Sequence, residues 1–146
     1  MPTHAEERIL PYSCEELYNM VADVEAYPKF LPWCVACRIT DHKDTEINAD
    51  LVIGYKMVRE KFSSRVTLDP YKVIHVEYLS GPMKYLSNFW KFYPEEGGKS
   101  CKIDFYVDFE FKNPFLQKTI NLFFHEAVKR MVNAFSTRAE ELYGKR

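Results

Sequence analysis

The residues able to do chemistry in this 146-residue chain are few and scattered. His4, His42, His75 and His125 stand far apart. The run "HEAVK" at 125–129 begins like the zinc-protease H-E-x-x-H but has Lys129 where the second histidine must ligate. "CVAC" at 34–37 has C-x-x-C spacing, yet no second pair completes a zinc ribbon, and the segment runs into the strand-like "CRIT" where a redox motif opens a helix. No secretion signal precedes Cys14, Cys34, Cys37 and Cys101, so they read as reduced, mostly buried thiols. G-x-S-x-G, P-loop and dinucleotide glycine patterns are absent, and glycines number only five. Nucleophilic, phosphate-handling and metal chemistry find no support, and the expectation is a protein without catalytic residues, metal ligands or a required cofactor.

Two other segments carry polar groups into apolar surroundings. In "VREKFSSRV" at 58–66, period two puts Glu60 on one face with Phe62, Ser64 and Val66, while Arg59, Lys61, Ser63 and Arg65 face the other way. An inward carboxylate needs a partner or a raised pKa, so Glu60 reads either as a functional acid or as a strand-end charge in an ion pair. In "GPMKYLSNFWKF" at 81–92, Leu86, Asn88, Trp90 and Phe92 share a face. Asn88 and Trp90 there offer amide and indole donors to a carbonyl-bearing ligand, or Trp90 is simply core.

Elements must position these groups, and the pattern supplies them. Residues 3 to 10 form a first strand, and "SCEE" gives a capping box with Ser13 as N-cap and Glu16 at N3. A short helix follows with Leu17, Met20 and Val21 on one face. Pro28 and Pro32 in "VEAYPKFLPW" then allow at most a second helical turn. From about 35 to 111, alternation broken at "HKDTE", "DPYK", "SGPM" and "PEEGGKS" divides the chain into five or six antiparallel strands. The clearest is "KIDFYVDFEF", with Ile103, Phe105, Val107, Phe109 and Phe111 facing one way. Asn113 as cap, Pro114 at N1 and Gly144 at C′ delimit a helix of about 30 residues and ~45 Å. On it Leu116, Ile120, Phe123, Phe124, Ala127, Val128, Met131, Val132, Ala134, Phe135, Ala139 and Leu142 span an apolar arc of about 180°. One α+β domain over 1–146 results, its helices on one face of a sheet, with space between sheet and long helix.

The totals agree with a ligand space more than with a nucleic-acid surface. Aromatics reach 16%, with eleven Phe and ten Tyr, while net charge is −1. DNA is not an expected partner. No stretch has the ~18 unbroken apolar residues of a membrane span, so the chain reads as cytoplasmic. Phe115 and Leu122, on the polar side of the long helix near Lys118, Lys129 and Asn133, are candidates for a peripheral membrane or subunit contact, or ordinary exposed apolar residues.

"LPYSCEELYNMVADVEAYPKFLPWC", "VREKFSSRV", "GPMKYLSNFWKF" and the closing strand and helix together resemble the coenzyme Q-binding proteins of the START-like polyketide cyclase/lipid transport superfamily, whose bacterial relatives include the ribosome association toxin. Met83 stands where many of those relatives have Phe. The resemblance covers about residues 3 to 143. It implies a helix-grip fold, a sheet curled around the C-terminal helix, with a hydrophobic tunnel for ubiquinone or a similar prenylated lipid. On that reading Tyr27, Phe30, Leu31 and Trp33 form a lid over one end. The tunnel is lined by Glu60, Phe62, Val66, Asn88, Trp90, Phe105, Val107, Phe109, Phe124, Val128 and Met131. The expected function is lipid carriage in support of respiration or quinone biosynthesis, with peripheral contact at the inner membrane. Two alternatives stand beside it: binding of the large ribosomal subunit through outward Arg59, Lys61 and Arg65, and polyketide cyclisation with Glu60 as acid or base.

Overall fold

The computed structural model describes residues 3–55 and 58–145. Strand β1 (Thr3–Leu10) leads into α1 (Cys14–Ala22), a 3₁₀ segment (Val24–Lys29), six further strands and the closing helix α2 (Pro114–Tyr143). The strands are β2 (Cys34–Lys43), β3 (Glu46–Tyr55), β4 (Val58–Asp69), β5 (Val73–Ser80), β6 (Met83–Pro94) and β7 (Cys101–Phe111). They make one antiparallel sheet in the order β1-β7-β6-β5-β4-β3-β2, so β1 crosses over to pair with the last strand and every other neighbour is a hairpin partner. The expectation of five or six strands after residue 35 resolves as six.

Local chemistry sets the joints. The capping box is present in full: Glu16 N–H donates to Ser13 Oγ at 3.1 Å and Ser13 N–H to the Glu16 carboxylate at 3.0 Å. Those two bonds satisfy main-chain donors that a helix start otherwise leaves open. Asn113 caps α2 through its side-chain oxygen, which accepts from the N–H groups of Phe115 and Leu116. Gly81, at φ 144°, lies against β4, where a Cβ would come within 2.6 Å of Phe62 Cβ. Only glycine fits that approach.

Register places the inward side chains in layers. One runs Leu68, Ile74, Trp90, Phe105 and Glu6 across β4, β5, β6, β7 and β1; the next runs Ile47, Val66, Val76, Asn88, Val107 and His4 from β3 to β1. Helix α2 lies over these layers on a stripe of Phe124, Val128, Val132, Phe135 and Ala139, all buried. That stripe is narrower than the half-circumference predicted from spacing. Leu116, Ile120, Ala127, Met131 and Ala134 are half-covered, while Phe123 and Leu142 are exposed. The sheet contacts the helix along one line, so residues that flank the line on both sides cannot all reach it.

Candidate functional site

The inner end of the space between sheet and helix, nearest α1, is filled by aromatic rings. Trp90 stands 4.6 Å from Phe105 and 4.8 Å from Phe135, ring centre to ring centre. Tyr27 and Phe30, on the 3₁₀ segment and just after it, close on the same Phe135 edge-on at 5.5 and 5.2 Å. The Arg138 guanidinium caps Phe30 from outside at 5.2 Å. What remains around Trp90 is a cavity of about 10 Å³ between Met20, Ile103, Phe105, Val132 and Phe135. That is room for about one water. The open tunnel expected from the sequence is therefore closed at this level, because large flat rings from three elements meet there.

Between this packed end and the buried Met83–Phe111 pair at the far end of β6 and β7, several apolar side chains are less covered. Leu51, Leu86, Phe109, Ile120 and Met131 pack against the core yet stay half-covered, and Phe62 is half-covered beside Tyr78 at 6.4 Å. Strands β3 and β4 pair Leu51 with Phe62, and β6 and β7 pair Leu86 with Phe109, so these half-covered side chains lie on the sheet beyond the packed rings. Ile120 and Met131 are the ones on the helix.

Few polar groups point into this apolar surface. Ser64, paired with Ala49 and Tyr78, is 1% exposed. Its Oγ has no hydrogen-bond partner among the described residues. A buried hydroxyl left unpaired costs free energy, so its retention calls for an explanation. Asn88, one layer inward, donates through Nδ2 to the Tyr106 carbonyl at 2.8 Å, which commits part of its amide to the sheet. A third polar element edges the space at the β1–α2 seam. Arg8 bridges Asn133 and Ser136 of α2 at 3.2 and 3.1 Å, and Glu6 sits between Arg8 and His4 at 2.8 and 3.0 Å. Inward charges of this kind also keep an edge strand from pairing with other chains.

A family model described as polyketide cyclase / dehydrase and lipid transport matches residues 10–136. The chain belongs to this family. It is 37% identical over 139 residues to the ribosome association toxin of Rickettsia prowazekii (strain Madrid E), covering 92% of this chain and 94% of that protein. It is 33% identical over 145 residues to the mitochondrial coenzyme Q-binding protein homolog B of Xenopus laevis, covering 97% of this chain and 59% of that one. A START superfamily protein from Mycobacterium smegmatis superposes with a TM-score of 0.80 at 19% identity, covering 96% and 98% of the two chains. The fold is thus the START-like helix grip that the sequence resemblance implied.

Within this family fold, the residues singled out from sequence fall in three groups. Val66, Trp90, Phe105, Val107, Phe124 and Val128 are buried in one cluster. Tyr27, Phe30, Leu31, Phe109 and Met131 pack on its edge, with the Tyr27 hydroxyl donating to the Val21 carbonyl. Burial of that hydroxyl holds the Tyr27 pKa far above the usual phenol range. Trp33, Glu60, Phe62 and Asn88 are half-exposed, Asn88 in the inward layer beside Val76 and Val107. Two of these have distinct settings. Trp33 occupies a left-handed corner at φ 66° whose carbonyl receives Gly54 N–H at 2.8 Å, so it turns the chain into β2 while Tyr27 and Phe30 do the covering. Glu60 stands opposite Ile53 near the outer end of the β3–β4 pairing and is half-exposed.

The outward cations have carboxylate partners. Lys61 lies 3.8 Å from Asp50, and Arg65 lies 3.6 Å from Glu46 and 3.3 Å from Glu77. Cys34 and Cys37 are both pushed up to about 11 by burial, which keeps them as thiols at neutral pH. Sequence reasoning missed Ser64, Phe135 and Met20 as site residues, and the Glu6–Arg8 edge. Phe135 was legible as core from helix spacing. Ser64 was placed on the right face, but nothing in "KFSSRV" said that its hydroxyl would lack a partner.

Proposed function

We propose that this chain is a non-enzymatic binder of a long apolar ligand with a carbonyl-bearing head, most simply ubiquinone, held between the sheet and α2. The observation that carries this reading is the unpaired Ser64 hydroxyl, buried next to the half-covered apolar side chains Leu51, Leu86, Phe109 and Met131. A head-group oxygen accepting from Ser64 Oγ removes the cost of the orphan donor, while Leu51, Leu86, Phe109 and Met131 cover the tail at roughly 25 cal/mol per Å² of apolar surface. The rings around Trp90 yield to admit more of the tail, since the resting cavity is too small for it. No separate cofactor is needed for such a role. No described helix is long and apolar enough to cross a membrane. The similarity to a protein named for coenzyme Q binding supports this reading.

The test is expression in a quinone-producing host, organic extraction of the purified protein, and mass spectrometry against a denatured control. Stoichiometric ubiquinone is expected, and it should fall in Leu51→Glu and Phe109→Glu, which charge the half-covered surface without emptying the core. An empty extract from a folded protein would overturn the proposal.

A second reading, binding of the large ribosomal subunit with interference in subunit joining, is favoured by the 37% identity to a ribosome association toxin across nearly the whole of both chains. Against it, Lys61 and Arg65 already face carboxylates, which weakens the outer face of β4 as a phosphate-binding surface. Co-sedimentation with ribosomes that falls steeply with salt would support this second reading, and salt-independent absence from the ribosome fraction would exclude it.

A further inference from the structure

Cys14 and Cys101 are 87 positions apart in the chain, yet the Cys14 thiol lies 2.7 Å from the Cys101 sulfur. Cys14 is the first residue of α1 and Cys101 the first of β7, so the contact joins the helix to the floor of the sheet. A disulfide needs the sulfurs at about 2.05 Å, which asks for an approach of roughly 0.7 Å from this contact. Access is provided beside it. An indentation of about 470 Å³, lined by Pro11, Ser13, Glu16, Gly98, Lys99 and Ser100, brings solvent to the chain neighbours of both cysteines. We propose that Cys14 and Cys101 form a reversible dithiol–disulfide site that fastens α1 to β7 when the protein meets a peroxide.

The two thiols have unequal roles. Cys101 is fully buried, and burial first, with the Cys14 contact next, holds its pKa well above the usual thiol range. Cys14 is half-buried and is the sulfur a small oxidant reaches first. Its sulfur attacks one oxygen of hydrogen peroxide, the O–O bond breaks, and water leaves with a sulfenic acid on Cys14. The Cys101 sulfur then attacks the Cys14 sulfur, its proton goes to the departing hydroxide, and a second water is released. Two thiols lose two electrons and two protons, and one peroxide becomes two waters.

The bond acts on the proposed ligand space through α1. That helix carries Met20 into the cavity beside Trp90 and packs Tyr18 edge-on against Phe92 at 5.9 Å. Tying its first turn to β7 removes one way for the inner end to open.

The test is treatment of the purified full chain with hydrogen peroxide, alkylation of remaining thiols and peptide mass spectrometry. Expected is a peptide pair joined through Cys14 and Cys101, lighter by two hydrogens and separated by dithiothreitol. It should persist in the Cys34→Ser/Cys37→Ser double variant and vanish in Cys14→Ser and in Cys101→Ser. The thermal midpoint should rise on oxidation in the wild type and the double variant, and stay put in Cys14→Ser. Alkylation of both Cys14 and Cys101 after exposure that oxidises Cys34 or Cys37 would overturn the proposal. So would a Cys14 sulfinic acid with Cys101 still free. Because the readouts are covalent and thermal, their failure is separate from any failure of ligand binding.

Discussion

Replacing Ser64 by Ala separates a ligand-facing hydroxyl from a structural one. In the unliganded protein the Oγ is buried and unpaired, so it contributes a desolvation penalty of about 1–3 kcal/mol with no bond in return. Deleting one oxygen leaves a small void and loses a few dispersion contacts, which offsets part of that gain. The expected net is a stabilisation of about 1 kcal/mol, visible in urea unfolding and as a midpoint shift of roughly 2–4 °C for a chain of this size. In the liganded protein the sign reverses. Losing one neutral hydrogen bond of about 0.5–1.5 kcal/mol weakens head-group binding by roughly two- to twelvefold. Both quantities come from one pair of experiments: chemical unfolding without ligand, and fluorescence titration with a short-chain ubiquinone analogue in a Trp33→Phe background, where Trp90 is the reporter. An alanine variant less stable by 1 kcal/mol or more, with unchanged affinity, would refute the reasoning. It would show that Ser64 is satisfied in the resting fold and does not read the ligand.

Three further outcomes are expected. Phe135→Ala removes the ring on which Trp90, Tyr27 and Phe30 converge, and should cost about 3–5 kcal/mol in urea unfolding; a cost below ~1 kcal/mol would mean that α2 is not clamped there. Gly81→Ala forces a Cβ to 2.6 Å from Phe62 Cβ at a left-handed φ and should lose about 1–3 kcal/mol, more than Gly97→Ala, which meets nothing within 4 Å. Equal losses at the two glycines would remove the steric argument. For pH, the Ser63 hydroxyl at 2.6 Å, followed by Lys61 and Arg38, lowers the pKa of Asp50 below the ordinary carboxylate value. A carboxylate lowered on folding stabilises fully above its unfolded pKa and loses that contribution as pH falls through the folded one. Asp50→Asn should therefore flatten the acid limb of the stability curve while leaving its shape above pH ~6 unchanged, and an unaltered acid limb would contradict the assignment.

Much of the frame was legible because it follows from local rules. The Ser13 capping box, the alternation of β7, the Asn113–Pro114 start of α2 and its Gly144 end each depend on residues within a few positions, and each stands where spacing put it. The strand count was left at five or six because turn-formers mark breaks without showing which strands pair. The family motifs then named the fold. The site was less legible. Alternation gave the face of Glu60 correctly, yet burial at that position depends on where the sheet ends, and Ile53–Glu60 lies at its outer end. The outward charge of Lys61 and Arg65 was also read correctly, but their neutralisation rests on Asp50, Glu46 and Glu77, which come from other strands.

The sequence by itself determined the elements, their order and the apolar faces, since periodicity and caps act over a few residues, while its motifs carried the resemblance to the helix-grip family. Only the tertiary structure decided how wide a stripe of α2 is covered, how far the space beneath it is filled, and which polar atoms stay unpaired. It also decided which thiols meet. Phe135 closes the inner end only because Tyr27, Phe30 and Trp90 reach it from separate elements. Likewise, Cys14 finds Cys101 because β7 pairs with β1, and the turn after β1 sets α1 beside the first residue of β7. Such contacts depend on register and curvature across the whole sheet, and no local spacing encodes them.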